Sequence, residues 1–145
     1  MSSFDRDLLA AKATAIERHL QRVEQRLPAT ADELLPSTDA SDAVLLHLWQ
    51  AVQLALDLGF AACLHLHLPA PATYADAFRT LAQHGVIAAD LAQRLARAAG
   101  FRNLVAHAYE SLDMGAVYAA AKDGPADLRQ LMSDLHRLLS SAPPS

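Results

Sequence analysis

Apolar residues recur with helical spacing along the first part of the chain. The stripe repeats every three or four positions and consists of Leu9, Ala13, Ile16, Leu20, Val23 and Leu27. Such spacing keeps one face of a helix apolar, so it predicts an amphipathic helix over residues 4–27. Pro28 and Pro36 then bracket a connecting loop, because proline disfavours continuation of a helix.

A longer apolar stretch predicts a second helix from about Ser41 to about Leu68, ending before the next proline. Its inward positions are Leu45, Leu48, Val52, Leu56, Ala62 and Leu66. Gly59 permits either close contact with another helix or a bend. The most apolar part, residues 54–68, contains Asp57 and two histidines and is shorter than the roughly 20 residues that span a bilayer.

A short third helix is predicted over residues 74–84. Thr73 and Asp76 resemble a capping box at its start, although Asp is a weaker match than Glu or Gln at the second position. Gly85 is expected to end the helix, because glycine adopts the left-handed conformation that often terminates helices.

Three further helices are predicted in the second half of the chain. Asp90 is expected to cap the fourth, which carries Leu91, Leu95 and Ala98, and Gly100 is expected to bend or interrupt it. Asp113 is expected to cap a short fifth helix that ends at Gly124. Pro125 fits the first position of a sixth, because that position needs no backbone donor. The sixth helix carries Leu128, Leu131, Leu135 and Leu138.

No alternating run predicts a strand, and neither an internal repeat nor a domain boundary is evident. Hydrophobic residues make up 52% and aromatic residues 6% of the chain, which favours closely packed helices rich in alanine and leucine. The predicted fold class is therefore all-α, an antiparallel up-and-down bundle with additional short helices. Residues 1–145 are expected to form a single domain with a frayed tail at 141–145.

Composition also bears on location and chemistry. The only cysteine, Cys63, excludes an internal disulfide, fits a reducing cytoplasm and is expected to be a small core residue. The first residues are too charged for a signal peptide, so a soluble cytoplasmic protein without membrane association is expected. The net charge of −4 argues against non-specific nucleic-acid binding over the whole surface but allows a local basic site.

The chemistry concentrates in residues 102–109, which read RNLVAHAY. Arg102 offers a permanently charged fork of donors that suits a phosphate, and His107 suits proton transfer near neutral pH. Asn103 and Tyr109 add an amide and a phenol. This combination is sufficient for RNA cleavage without a metal, and the alternative is a surface arginine with a capping histidine.

Helical geometry directs the side chains of this motif to different sides of a regular helix. On a regular helix Asn103 and His107 share a face, whereas Arg102 and His107 point about 140° apart. The two catalytic candidates therefore meet only if the backbone is irregular near Gly100 or if a cleft between two subunits gathers side chains from both. Tyr109 reaches the same cleft if the helix unwinds before Ser111, and is otherwise a half-buried structural tyrosine.

Arg94 and Arg97 precede the motif, and residues 91–109 contain three arginines and no acid. This local positive segment suits RNA phosphates, so both residues are candidates for RNA binding. The alternative is a solvated helix face whose arginines pair with acids elsewhere. No metal site is expected, because His65 and His67 point apart on a helix, and the other histidines are scattered.

The motif and its frame resemble the HepT-like toxins of the HEPN superfamily. Those proteins carry an arginine, a polar residue, several apolar residues, then H-x-Y and a nearby acid, which RNLVAHAY followed by ESLD matches. Residues 74–81 with Gly85-Val86-Ile87 are similar to the family's third helix, and residues 91–101 to the lead-in to its motif. The helix over residues 42–68 also fits, so the resemblance covers most of residues 4–140.

The resemblance implies an endoribonuclease that needs no metal or other cofactor and acts as the toxin of a type VII-like toxin–antitoxin pair. It implies a homodimer whose two motifs face one cleft, with RNA as substrate. It also implies a minimal nucleotidyltransferase antitoxin from a neighbouring gene, able to transfer AMP to Tyr109.

In the implied reaction His107 moves a proton, Arg102 stabilises the phosphate, and Asn103 orients one of them while the ribose 2′-hydroxyl attacks. The alternative is a non-catalytic helical module that partners a nucleotidyltransferase and uses the motif for nucleotide or partner contacts.

Overall fold

The computed structural model describes residues 4–140, which form five α-helices and two 3₁₀ turns and contain no strand. The helices are α1 (Arg6–Arg26), α2 (Asp39–His65), α3 (Tyr74–Gln83), α4 (Ala89–Ala108) and α5 (Met114–Ser140), and the 3₁₀ turns are Ala31–Glu33 and Tyr109–Ser111. The predicted all-α fold is confirmed. The tail predicted at 141–145 lies outside the described residues.

Helix α1 follows its predicted pattern closely. Asp5 caps its start by accepting a hydrogen bond from the backbone N–H of Leu8 at 2.8 Å. The apolar stripe faces the core, and Leu9, Ile16, Leu20 and Val23 are all buried. The helix ends where Leu27 becomes extended, immediately before the proline.

Helix α2 is the central helix of the bundle and contacts each of the other four. It begins slightly earlier than the sequence predicted, because Thr38 rather than Ser41 is its cap. The two side chains form a reciprocal capping box, in which Ser41 accepts from the backbone N–H of Thr38 at 3.0 Å. Ser41, near which the start was predicted, therefore lies in the first turn of the helix.

The length and composition of α2 also satisfy the requirements for crossing a membrane, with a mean hydropathy of 1.4. Half of that apolar window is buried inside the bundle, however, where it packs against other helices. Burial in a protein core explains its hydrophobicity as well as a bilayer does.

Close contact between α2 and α3 depends on Gly59. A Cβ atom built at Gly59 would lie 2.7 Å from Cε1 of the buried Phe78 ring, so a larger residue displaces that ring. Of the two roles open to Gly59, the structure shows the close helix contact. Gly85 ends α3 as predicted, with a φ of 74° that favours glycine.

Helix α4 corrects two predictions. Asp90 lies inside the first turn, and the capping position is occupied by Ala88, which makes no side-chain cap. Gly100 does not interrupt the helix, which continues to Ala108. The physical reason is that Leu95 and Val105 are buried on either side of Gly100, so core packing outweighs the roughly 1 kcal/mol cost of one helical glycine.

Helix α5 corrects a further prediction, that of two separate helices in this region. The predicted fifth and sixth helices form one continuous helix, with Pro125 in its interior. Pro125 lacks the N–H that would bond the preceding turn, but it is buried together with Leu128 and Leu131 on the same apolar face. Packing of that face sustains the helix. Asp113 does cap its start, accepting from the backbone N–H of Gly115 at 2.9 Å.

Candidate active site

The sequence motif lies on the last two turns of α4 and on the 3₁₀ turn that follows. Arg102, Asn103 and His107 belong to the regular helix, whereas Tyr109 lies just beyond its end. Because the helix is uninterrupted, Arg102 and His107 point about 140° apart, and one chain does not aim them at a common point. Of the two ways in which they could meet, backbone irregularity at Gly100 is excluded by this structure.

Arg102 reaches from α4 to α2 and is held there by uncharged groups. Its Nε donates to Oε1 of Gln53 at 2.7 Å, and its Nη1 donates to Oδ1 of Asn103 at 3.0 Å. The guanidinium lies over the ring of Trp49, 5.4 Å from its centroid. None of these partners carries a negative charge, so Arg102 is positioned while its positive charge remains available to a ligand.

A second layer of hydrogen bonds orients Gln53. Its Nε2 donates to Oδ1 of Asp57 at 3.0 Å, and the hydroxyl of Tyr74 donates to the same oxygen at 3.2 Å. Gln53 thus donates to Asp57 on one side and accepts from Arg102 on the other. The carboxylate of Asp57 is linked to Arg102 through the amide between them, and the two form no direct ion pair within the described residues.

His107 and Asn103 share the other face of α4. Both side chains are exposed, and within residues 4–140 the His107 ring has no hydrogen-bond partner. Asn103 lies one turn before His107 and accepts a hydrogen bond from Arg102, so it connects the two catalytic candidates. The structure thus brings Arg102 and Asn103 together and leaves His107 facing solvent.

Tyr109 leaves the helical path. The backbone breaks at Ala108, where φ is −139° and ψ is 38°. The Tyr109 hydroxyl then donates to Oδ1 of Asp42 in the first turn of α2 at 2.5 Å. This hydrogen bond, reinforced by partial burial, raises the pKa of the Tyr109 phenol. The ring remains 45% exposed, so a macromolecule can still reach it.

Two open hollows adjoin this part of the surface. One of about 450 Å³ lies between α2 and α4 and is lined by Asp42, Trp49 and Tyr109, with apolar residues from both helices. The other, of about 810 Å³, is lined by Asp57, Tyr74, Asn103 and mostly apolar neighbours. Together they give the residues around Arg102 a concave, accessible surface.

The two predicted RNA-binding arginines occupy a different place. Arg94 and Arg97 line a groove of about 450 Å³ between α4 and α5, not the hollows beside Trp49 and Asp57. Arg94 is already paired, to Asp127 at 2.9 Å and to Asp90 at 3.2 Å. Arg97 is exposed and forms no ion pair with any residue that the structure describes.

Other reactive side chains have structural surroundings. Cys63 is buried, burial raises the pKa of its thiol, and its Sγ lies 3.5 Å from the carbonyl oxygen of Ala77. His65 packs edge-on against Phe4, and His67 lies beyond the end of α2. Across residues 4–140, no three histidine, cysteine or acidic side chains come together as a metal site requires.

Sequence reasoning missed the residues on α2 that hold the motif. Trp49 and Gln53 lie one helical turn apart, and Trp49 is the only tryptophan in the chain. That spacing was the available signal, since it places an aromatic face and an amide side by side on one surface of α2. Asp42, Asp57 and Tyr74 gave no comparable signal, because their partners are distant in sequence.

Comparisons with known proteins bear on the family and the fold of this chain. The sequence profile of the family described as "Ribonuclease HepT-like" matches residues 16–135. A relative from Shewanella oneidensis, described as an mRNA nuclease HepT, is 24% identical over 126 residues, covering 87% of this chain and 94% of the relative.

Solved structures share the fold. A tri-AMPylated HEPN toxin from Shewanella oneidensis, solved in complex with its MNT antitoxin, superposes with a TM-score of 0.82 at 23% identity, over 91% of this chain and 98% of that one. A toxin–antitoxin complex with AMP-PNP gives a TM-score of 0.83 at 22% identity, covering 91% and 99%. YutE from Bacillus subtilis, a cytosolic protein of unknown function, gives 0.80 at 18% identity, covering 100% and 99%.

Proposed function

This chain belongs to the HepT-like ribonuclease family, and on that basis we propose that it is the RNA-cleaving toxin of a toxin–antitoxin pair. The observation that carries the proposal is the way in which Arg102 is held. Its guanidinium is fixed by Gln53, Asn103 and Trp49, none of which is charged. A positioned but un-neutralised arginine at an open surface suits a phosphodiester whose charge grows in the transition state.

The proposed reaction is transesterification. The ribose 2′-oxygen attacks the adjacent phosphorus, the bond from phosphorus to the 5′-oxygen breaks, and a 2′,3′-cyclic phosphate forms. His107 moves the proton, taking it from the 2′-hydroxyl or giving it to the leaving 5′-oxygen. Arg102 holds the non-bridging oxygens, and Asn103 orients the phosphate or His107. Apart from the proton that His107 moves, every bond is made or broken within the RNA itself, so this mechanism requires no cofactor.

We infer that the active unit is a homodimer in which Arg102 of one protomer faces His107 of its partner. The angle between the two residues on α4 supports this, because they diverge within one chain. The α2 and α4 surface around the motif also exposes Leu46 (53%) and Leu104 (49%), which a second copy would cover.

Cleavage is tested with purified protein and end-labelled RNA in excess chelator. The wild-type protein is expected to yield products ending in a 2′,3′-cyclic phosphate, and His107→Ala is expected to lose about 10²-fold or more in rate. Activity that disappears with chelator, or that survives in His107→Ala, contradicts the mechanism. A non-catalytic role with a nucleotidyltransferase is favoured if a combined Arg102→Ala and His107→Ala variant retains full biological effect.

The shared site is tested by mixing two inactive variants, Arg102→Ala and His107→Ala, under conditions that allow subunit exchange. A heterodimer then contains one site with both wild-type side chains, so random mixing is expected to restore about a quarter of wild-type activity. Each variant exchanged with itself is the control. No recovery, with exchange verified by mass spectrometry, shows that each site belongs to one chain.

We further propose that a nucleotidyltransferase antitoxin from a neighbouring gene silences the site by AMPylating Tyr109. The relative solved as an AMPylated toxin with its MNT antitoxin supports this partner class. In the transfer, the Tyr109 oxygen bonds the α-phosphorus of ATP, pyrophosphate leaves, and Asp42 is placed to accept the proton. The added AMP brings negative charge and bulk to the surface on which RNA would lie.

Intact-mass measurement after co-expression with the neighbouring gene tests the modification. One or more adenylyl groups are expected on the wild-type chain and none on Tyr109→Phe, which lacks the acceptor hydroxyl. Asp42→Asn is expected to slow the transfer without abolishing it. Full neutralisation of an unmodified wild-type chain leaves a binding mechanism instead. We place the pair in the cytoplasm, where RNA is available, as the cytosolic relative YutE also suggests.

A further inference from the structure

A row of arginines on α1 has no acidic partner among the residues that the structure describes. Arg18, Arg22 and Arg26 recur every fourth residue and are exposed. They therefore lie on one side of the helix, with successive Cα atoms about 6 Å apart along its axis and a total span of about 12 Å. No ion pair found within residues 4–140 involves any of the three. We call them the α1 basic stripe.

The acids nearest in sequence to this stripe are engaged elsewhere. Glu17 and Glu24 both pair with Arg129 of α5, at 2.8 Å and 2.7 Å. Helix α1 thus directs its two glutamates toward α5 while the stripe remains unneutralised. That arrangement is unexpected in a chain of net charge −4, where acids are in excess.

Two histidines border the stripe. Nδ1 of His19 on α1 lies 3.0 Å from Nδ1 of His47 on α2, so one ring donates a hydrogen bond to the other. Burial lowers the pKa of both rings, and positive charge lowers it further: Arg22 acts on both, Arg18 on His19 and Arg26 on His47. The positive charge of the arginines thus acts on both rings, which lie beside the stripe.

We propose that the α1 basic stripe binds RNA phosphates outside the cleavage site and retains substrates longer than a few nucleotides. The proposal rests on the proposed ribonuclease function and deepens it by assigning a second contact surface to the same substrate. Three unpaired arginines in a row suit the repeating charges of a phosphate backbone.

Two features favour RNA over an acidic protein. Protein interfaces have an apolar centre, but none of the large exposed apolar side chains of the described chain lies on α1. The exposed side chains between the arginines include Gln21 and Gln25, whose amides suit phosphate and ribose oxygens.

We expect a long RNA held at Arg102 to reach the stripe as well. Helix α2 separates the two surfaces, with His47 on one side and Trp49 about 160° around it on the other. A helix with its side chains is about 10–12 Å across, so a strand must be several nucleotides long to touch both. The contribution of the stripe should therefore depend on RNA length, whereas contacts at Arg102 should not.

The test measures binding of fluorescent single-stranded RNA that carries 2′-O-methyl groups and cannot be cut. Anisotropy gives the Kd at several KCl concentrations for an RNA of about 20 nucleotides and for one of about 5. The variant combines Arg18→Gln, Arg22→Gln and Arg26→Gln. A matched control, Arg6→Gln with Arg79→Gln and Lys122→Gln, removes the same net charge from exposed positions elsewhere.

Loss of three phosphate contacts is expected to weaken binding of the long RNA about tenfold and to reduce the salt slope by about 2. The control variant and the short RNA are expected to change much less. Circular dichroism melting checks that both variants fold.

Equal affinities of the stripe variant and the control for the long RNA overturn the inference while leaving the ribonuclease proposal intact. A stripe variant that binds RNA normally but no longer captures the nucleotidyltransferase also overturns it, because the stripe then contacts protein. Wild-type protein that neither binds nor cuts RNA overturns the proposed function, and this inference with it.

Discussion

Arg129 and Arg102 are both partly buried arginines that join two helices, yet they are held in opposite ways. Arg129 on α5 donates four hydrogen bonds to the carboxylates of Glu17 and Glu24 on α1, at 2.7–3.0 Å. Arg102 on α4 is held by the amides of Gln53 and Asn103. One site surrounds a guanidinium with negative charge, and the other surrounds it with neutral dipoles.

The difference separates a structural arginine from one that can serve a ligand. Carboxylates around Arg129 satisfy its charge, so it joins α1 to α5 and has little attraction left for an anion. Amides around Arg102 fix the direction of the fork but leave its charge unbalanced, and an approaching phosphate can balance it. The partners of an arginine therefore indicate its role better than its exposure does.

The largest effect is expected from removing Arg102, the arginine that is held by uncharged side chains. Arg102→Ala should lower the rate of RNA cleavage about 10²–10³-fold, because the growing phosphate charge loses its charged donor. Stability should change little, since the side chain has no ionic partner within residues 4–140. Cleavage assays and urea unfolding together check this. Arg102→Lys keeps the charge without the fork and should fall between wild type and Ala; a fully active Arg102→Ala contradicts the assignment.

A second change converts the neutral site into one resembling that of Arg129. Gln53→Glu places a carboxylate against Arg102, which should balance its charge and reduce cleavage about tenfold or more. Gln53→Ala is the control, because it removes the positioning contact without adding charge. Single-turnover cleavage should fall further in Gln53→Glu than in Gln53→Ala. If the order is reversed, positioning matters more than retained charge.

Replacing Arg129 tests the arginine that we assign a structural role. Arg129→Met should lower the free energy of unfolding by about 1 kcal/mol, since partly exposed ion pairs contribute modestly even with several hydrogen bonds. RNA cleavage per folded molecule should be unchanged. Urea denaturation measures the first effect and initial cleavage rates the second. A double variant, Glu17→Gln with Glu24→Gln, should reproduce the loss; impaired cleavage in either variant would weaken the contrast with Arg102.

The smallest effect is expected for His19 and His47, whose rings form a hydrogen bond with each other rather than with a carboxylate or an amide. Because the folded-state pKa of both is lowered, the unfolded chain binds more protons as the pH falls below about 6.5. The two histidines therefore stabilise the fold fully above about pH 6.5. This stabilisation is lost as the pH falls through their folded-state pKa. Urea unfolding at about pH 7.5 and 5.5 should show a smaller acid-induced loss in a His19→Asn, His47→Asn variant than in His84→Asn.

Prediction from the sequence succeeded where structure follows local patterns. The stripe from Leu9 to Val23 correctly predicted α1, and Gly85 correctly predicted the end of α3. It failed at Gly100 and Pro125, where local propensity favours a break but buried apolar residues on both sides sustain the helix. In both failures packing between helices, which is not visible in a local window, outweighed a cost of a few kcal/mol.

The sequence by itself determined most of the helices, the residues of the motif and the family to which they belong, because helical periodicity and motif spacing are properties of neighbouring residues. Only the tertiary structure decided what those residues can do. It kept α4 regular through Gly100, and so kept Arg102 and His107 apart within one chain. It also gave Arg102 its neutral partner Gln53 from α2 and gave Tyr109 its acceptor Asp42. Those pairings join residues far apart in the chain, and they form only when α2 and α4 pack together.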